Sequence, residues 1–193
     1  MTKTDTKPRC HSLMMVPPDS ALHSGCSHIR FWLAAALGLA LDLVSKKWAL
    51  ARLGSLDDPQ PLVLIPDWLR LSLVLNHGAV AGIAHGKTTL LIVGAFIAMG
   101  FLFWLYITTK KSQKLAHISL GLLLAGALGN TYDRLFNAGQ VVDFIEVDLH
   151  FPPAHPWPTF NVADILLCVG LILLLTGVFF GAKMKKPAGE AKI

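Results

Sequence analysis

Charge is scarce in this sequence. Only 15% of its 193 residues are Asp, Glu, Lys or Arg, while 53% are hydrophobic. A soluble domain of this size carries about a quarter charged residues. So little polar surface cannot cover a water-soluble globule, and lipid is the expected outer solvent. Cysteine is scarce too: Cys10, Cys26 and Cys168 are too few and too scattered for a disulfide framework or a zinc site. The chain has no HExxH, no glycine-rich phosphate loop and no evident Ser/His/Asp set, and His85, His150 and His155 lack metal-ligand spacing. Carboxylates remain as the groups able to do chemistry.

What the chain does have is four long apolar stretches, at about Phe31–Ala51, Thr88–Thr109, Leu115–Leu135 and Val162–Ala182. Each is near the roughly 20 residues a helix needs to cross a bilayer. A helix satisfies every backbone N–H and C=O inside the segment, so all four read as transmembrane helices. The Lys and Arg residues then set the orientation. Lys3, Lys7, Arg9 and Arg30 precede the first span, Lys110, Lys111 and Lys114 join the second to the third, and Lys183, Lys185, Lys186 and Lys192 follow the fourth. The other side holds only Arg52, Arg70 and Lys87, and the connection from Phe136 to Phe160 has none. This bias predicts cytoplasmic termini and two outer loops. The net charge of +5 therefore reports topology, and nucleic acid is not an expected partner.

Residues 1–30 are polar, contain Pro8, Pro17 and Pro18, and are expected to form a disordered cytoplasmic extension. Residues 31–182 form the membrane domain, and 183–193 a basic cytoplasmic tail. Leu22-His23-Ser24-Gly25-Cys26 looks like a lipoprotein cleavage box, but no hydrophobic region precedes it, so it is not read as a lipidation site. The first outer loop contains PLVLIPDWLRLSLVLN at 61–76, which suits short strands or an interfacial segment. The second ends in FPPAHPWP, whose four prolines exclude regular helix until Phe160. Trp68 and Trp157 suit headgroup-level anchors. The expected fold is an all-α integral membrane protein of four transmembrane helices with a small extracytoplasmic β-like cradle.

A charge at the bilayer centre costs about 2.5–3.5 kcal/mol on insertion scales, so each needs a reason. Asp42 lies roughly 18 Å into the first span, past the midplane toward the outer face. Lys46 follows one turn later, and mutual neutralisation explains the pair as well as substrate contact does. Asn130, Asp133 and Arg134 come near the outer end of the third span, Asn161 and Asp164 at the outer start of the fourth, and Asp143 in the loop between. Asn76 closes the first outer strand region. Topology thus gathers Asp42, Asn76, Asp133, Asp143 and Asp164 at one level from independent segments. A polar network that locks the helices is the structural explanation. Chemistry is the other, because two nearby carboxylates do not both ionise easily: one keeps a proton while the other acts as base toward water. If Asn161 caps the fourth helix, Asp164 falls near its third position, where the positive helix end favours a carboxylate.

Four blocks now make the pattern specific: DLVSK at Asp42–Lys46, NHGAVAGI at Asn76–Ile83, GNTYDR through VVDF at Gly129–Phe144, and FNVAD at Phe160–Asp164. In order, spacing and topology the chain resembles the lipoprotein signal peptidase (signal peptidase II) family over about residues 31–182. The resemblance implies an aspartyl endopeptidase of a bacterial inner membrane that cuts lipid-modified prolipoproteins just before the diacylglyceryl-Cys. It implies no metal or cofactor, a monomer among membrane lipids, and a site facing the periplasm. Carried over, Asp143 and Asp164 are the catalytic pair, and Asp42, Lys46, Asn76, Gly78, Asn130, Asp133, Arg134, Asn161 and Ala163 line or support the site. Asp133 is the competing partner for Asp164. Ala81 departs from the family, which has a large aromatic there, and the link from Asp133 to Asp143 is about one residue longer. Tyr132-Asp133 invites comparison with presenilin-like proteases, but no GxGD accompanies it. A small transporter or proton channel would also carry intramembrane carboxylates, though the two halves show no convincing repeat.

Overall fold

The computed structural model describes residues 16–55, 58–76, 87–150 and 156–183. Four helices account for most of it: α1 (Gly25–Arg52), α2 (Thr88–Thr108), α3 (Lys114–Phe136) and α4 (Val162–Lys183). All four are long and apolar enough to cross a membrane. Three strands complete the fold, β1 (Leu62–Ile65), β2 (Leu69–Asn76) and β3 (Val141–Val147). They form one antiparallel sheet in the order β1-β2-β3.

Helix α3 is the axis of the bundle, with α1, α2 and α4 all packed against it. Its sequence explains why. At Gly126 an added Cβ would lie 2.5 Å from the carbonyl oxygen of Ala163, and at Gly129 only 2.2 Å from Oδ2 of Asp42. Glycine there admits the start of α4 on one side and a charged side chain of α1 on the other. By contrast α2 presents Leu90, Phe96, Ile97 and Phe101 outward, as a lipid-facing helix should. Between the helices Phe31, Met99, Tyr106, Leu120 and Leu124 form an apolar core.

The sheet sits on the C-terminal end of α1. Val142 and Phe144 of β3 and Leu73 of β2 pack with Ala49 and Leu53. Asp143, between Val142 and Phe144, turns to the opposite face by strand alternation. The register pairs it with Val74 of β2, so Asn76, two residues on, is its diagonal neighbour.

The boundary expected at residue 31 is corrected. Helix α1 starts at Gly25, and Ala21–His23 form a 3-10 turn before it. The preceding residues are tied to the α2–α3 turn: Ala21 N–H donates to Thr109 O (2.8 Å), Lys111 N–H to Asp19 O (2.8 Å), Ser20 Oγ to Ile107 O, and Asp19 pairs with Lys110 at 3.0 Å. Further along, His28 bonds Tyr106 Oη at 2.8 Å and Leu22 O at 3.1 Å. Polar residues that composition assigns to a tail thus find partners within the bundle. The second correction concerns VVDFIEV, expected as loop around Asp143, which is strand β3. Val141 through Phe144 are buried in succession, so the segment lacks the alternation that betrays a half-exposed strand.

Candidate active site

Asn161 precedes α4 and caps it. Its Oδ1 accepts the N–H of Asp164 at 3.1 Å, and Oδ2 of Asp164 accepts the N–H of Asn161 at 3.2 Å. This reciprocal pair satisfies two N–H groups that a helix start leaves open. It also fixes the Asp164 carboxylate at the positive end of the helix.

The other groups follow from donor and acceptor chemistry. Lys46 Nζ lies 2.8 Å from Asp42 Oδ2, 2.9 Å from Asp133 Oδ2 and 3.1 Å from Asn130 Oδ1. An ammonium offers only donors, so Asn130 presents oxygen to Lys46. Its NH2 therefore faces Asp164, to which it donates at 2.8 Å. Asn161 Nδ2 donates to the same Asn130 oxygen at 3.0 Å and to Asp143 Oδ1 at 2.6 Å. Asn76 Nδ2 donates to the other Asp143 oxygen at 2.9 Å. Two connected clusters result. One holds Asp42, Asp133 and Lys46, and the other holds Asp143 and Asp164 among the amides of Asn76, Asn130 and Asn161.

Each remaining predicted residue has a place. Ala163 is fully buried, and its N–H donates to Asp42 Oδ1 at 2.8 Å. Asp133 Oδ2 accepts the N–H of Val142 at 3.1 Å, which anchors β3 beside α3. Arg134 donates to Asn130 O at 3.1 Å, and its charge is felt at Asp143 and Asp164. Gly78 and Ala81 lie outside the described residues. Two residues that sequence reasoning passed over also contribute: Gly129, whose missing side chain admits Asp42, and Asn137, which donates to Asp133 Oδ1 at 3.2 Å. A glycine among intramembrane polar residues was the available signal for the first, and nothing marked the second.

Asp143 is 3% exposed. Burial pushes its carboxyl up to about 6, against the bond from Asn76; the charge of Asp164 adds to the rise, and Asn161 and Lys46 oppose it. A carboxyl so placed holds its proton further toward neutrality than a free Asp.

Fold and site together define a multi-pass membrane protein with acidic residues gathered where the sheet meets the helix ends. The sequence model of the signal peptidase (SPase) II family matches residues 34–180. A lipoprotein signal peptidase of Clostridium acetobutylicum is 37% identical over 82% of this chain and 97% of its own length. One of Teredinibacter turnerae is 34% identical over 85% and 95%. A bacterial membrane enzyme solved by the in meso method at 2.3 Å superposes with a TM-score of 0.70 at 31% identity, covering 83% of this chain and 93% of that one. The chain belongs to the lipoprotein signal peptidase (signal peptidase II) family. It is a transmembrane protease of lipoprotein processing in a bacterial membrane.

Proposed function

We propose that the chain is an aspartyl endopeptidase that cuts prolipoproteins just before the diacylglyceryl-modified Cys, using Asp143 and Asp164. The observation that carries this is Asn161, whose side-chain amide binds Asp143 while its backbone N–H binds Asp164. One residue thereby holds two carboxylates to a common centre, and amides are the donors that hold them. Asp133 is the weaker partner because Lys46 already compensates its charge.

In the proposed reaction Asp143 begins protonated, in keeping with its raised pKa. Asp164, held by two N–H donors at a helix start, is the base. Asp164 takes a proton from water as the water oxygen attacks the scissile carbonyl carbon, and Asp143 gives its proton to the carbonyl oxygen. The resulting gem-diol returns a hydroxyl proton to Asp143 as the C–N bond breaks, and Asp164 delivers its proton to the leaving amine. Both carboxyls recover their starting states. General acid–base catalysis of this kind contributes about 10²–10⁴-fold. The Lys and Arg distribution supports cytoplasmic termini and a site at the outer leaflet, where a lipid-modified Cys sits beside water.

The test is release of signal peptide from a purified diacylglyceryl-modified prolipoprotein by the unaltered protein, Asp143→Asn, Asp164→Asn and Asp133→Asn. Cleavage by the unaltered protein, none by the first two variants and partial activity in the third is the expected result. Activity surviving in Asp143→Asn but lost in Asp133→Asn would move the pair to Asp133 and Asp164. Failure of the well-folded unaltered protein to cut would return the transporter reading.

A further inference from the structure

The last turns of α1 carry two cations that neither carboxylate cluster uses. Arg30, Lys110, Lys111 and Lys114 gather at the opposite end of the bundle, and Lys46 is buried against Asp42 and Asp133. Lys47 and Arg52 are instead exposed. No ion pair engages either of them among the described residues. A cation in the last turn of a helix complements its dipole, which accounts for Arg52. That effect fades within the turn, so it does not account for Lys47.

Depth and face say what surrounds these cations. Helix α1 has 28 residues, about 42 Å at 1.5 Å per residue. That matches the roughly 40–45 Å of a bilayer with its headgroups, whose hydrocarbon core of about 30 Å then ends about 6 Å short of Arg52, near Trp48. From there Lys47 reaches the phosphate level by extending its apolar stem. At 3.6 residues per turn Val44, Lys47, Trp48, Ala51 and Arg52 fall within about 140° of one helix face, and all five are exposed. Leu37 and Leu41 continue that face toward the bilayer centre, 62% and 58% exposed. Asp42 and Lys46 are buried on the other side of the helix. The exposed face thus presents an apolar stripe, an indole at the boundary and two cations above it. An acyl chain, a glycerol backbone and a phosphate follow one another in the same order.

We propose that this face of α1 binds an anionic phospholipid, with its phosphodiester between Lys47 and Arg52 and an acyl chain along Val44, Leu41 and Leu37. Lys and Arg near a membrane surface attract anionic headgroups, and an indole prefers the same level. A zwitterionic lipid offers the same phosphate but brings its own ammonium, so two cations side by side select against it. The bound lipid lies behind Asp42 and Lys46 and braces α1 from outside, without entering either cluster.

The full chain in phosphatidylcholine nanodiscs, with a small fraction of lipid carrying dibrominated chains, tests this, because bromine quenches indole fluorescence only on contact. The quenching that Trp48→Phe removes belongs to Trp48, which lies at the far end of α1 from the basic α2–α3 turn. Dibrominated phosphatidylglycerol is expected to bind there at least about fivefold more tightly than dibrominated phosphatidylcholine. Rising salt should shrink the preference, as it screens exposed charges. The double variant Lys47→Gln/Arg52→Gln, shown to be folded by its melting temperature, should bind the two lipids almost equally, while Lys47→Arg keeps the preference. Lys47→Gln alone, expected to lower the preference about twofold, carries the test if the double variant melts early. Equal quenching of Trp48 by the two lipids in the unaltered protein overturns the site. A preference that survives loss of the cations, or that is lost in Lys47→Arg, overturns it as well.

Discussion

Two groups of carboxylates share one end of the bundle and have different company. Asp42 and Asp133 flank an ammonium that lies 2.8 and 2.9 Å from their carboxylates and 3.1 Å from Asn130 Oδ1. Asp143 and Asp164 are held by neutral amides and backbone N–H groups. A cation between two carboxylates compensates their charge and pins both side chains in place. Amides supply geometry and leave a proton free to move. The first arrangement therefore suits a scaffold, and the second suits acid–base work. Asn130 touches both, giving its oxygen to Lys46 and its NH2 to Asp164, so the scaffold orients the reactive group.

The largest effect that could break this contrast is in the amide-held pair. Asp143→Asn or Asp164→Asn is expected to lower cleavage at least about a thousandfold, about 4 kcal/mol of transition-state stabilisation, with melting changed by only a few degrees. A comparable loss of fold in either variant would make both clusters scaffolds.

The scaffold should behave in the opposite way. Lys46→Met leaves two buried carboxylates uncompensated and is expected to cost about 3–5 kcal/mol in equilibrium unfolding from detergent micelles. Asp42→Asn should cost less, because Lys46 keeps Asp133. Equal costs for the two would show that Lys46 does not bridge them.

Titration sharpens the comparison further. The folded carboxyl of Asp143 is raised to about 6 from 3.8, so the fold binds this proton more tightly than the unfolded chain does. Its stabilising contribution is full below about pH 4 and is lost as pH rises through 6, by up to about 3 kcal/mol. Unfolding measured from pH 4 to 7.5 should show that decline in the unaltered protein and not in Asp143→Asn. A smaller effect is expected at the helix start: Asn161→Ala should remove about 1 kcal/mol of capping. Its cleavage rate should fall by more than that loss of stability explains, because the same residue holds Asp143.

Most of the frame was legible in the amino-acid order. Apolar runs mark a helix that spans lipid, and charges inside such runs stand out because they need a compensating partner. Asp42, Asp133 and Asp164 were visible for that reason, and the cap by Asn161 followed from helix-start chemistry. Strand β3 was less visible, since Asp143 interrupts a β-branched run and burial on both faces removes alternation. The start of α1 was hidden because Ser20 and His28 are polar in composition but bonded to the α2–α3 turn and to Tyr106. The contrast between the two clusters was legible only in part. Helical spacing pairs Asp42 with Lys46, but that Asp133 shares the same lysine is a matter of packing, with Gly129 letting Asp42 through.

The bond from Ala163 N–H to Asp42 joins residues 121 positions apart, which gives assembly a temporal order. At the 5–20 residues per second of translation, about 6 to 24 seconds separate synthesis of Asp42 from synthesis of its donor, Ala163. Through that interval Lys46, four residues on along α1, is the counter-charge already at hand for Asp42. Asn161 and Asp164 arrive only with the last helix, so the nascent chain carries an unfinished centre in the membrane, and entry of α4 completes it.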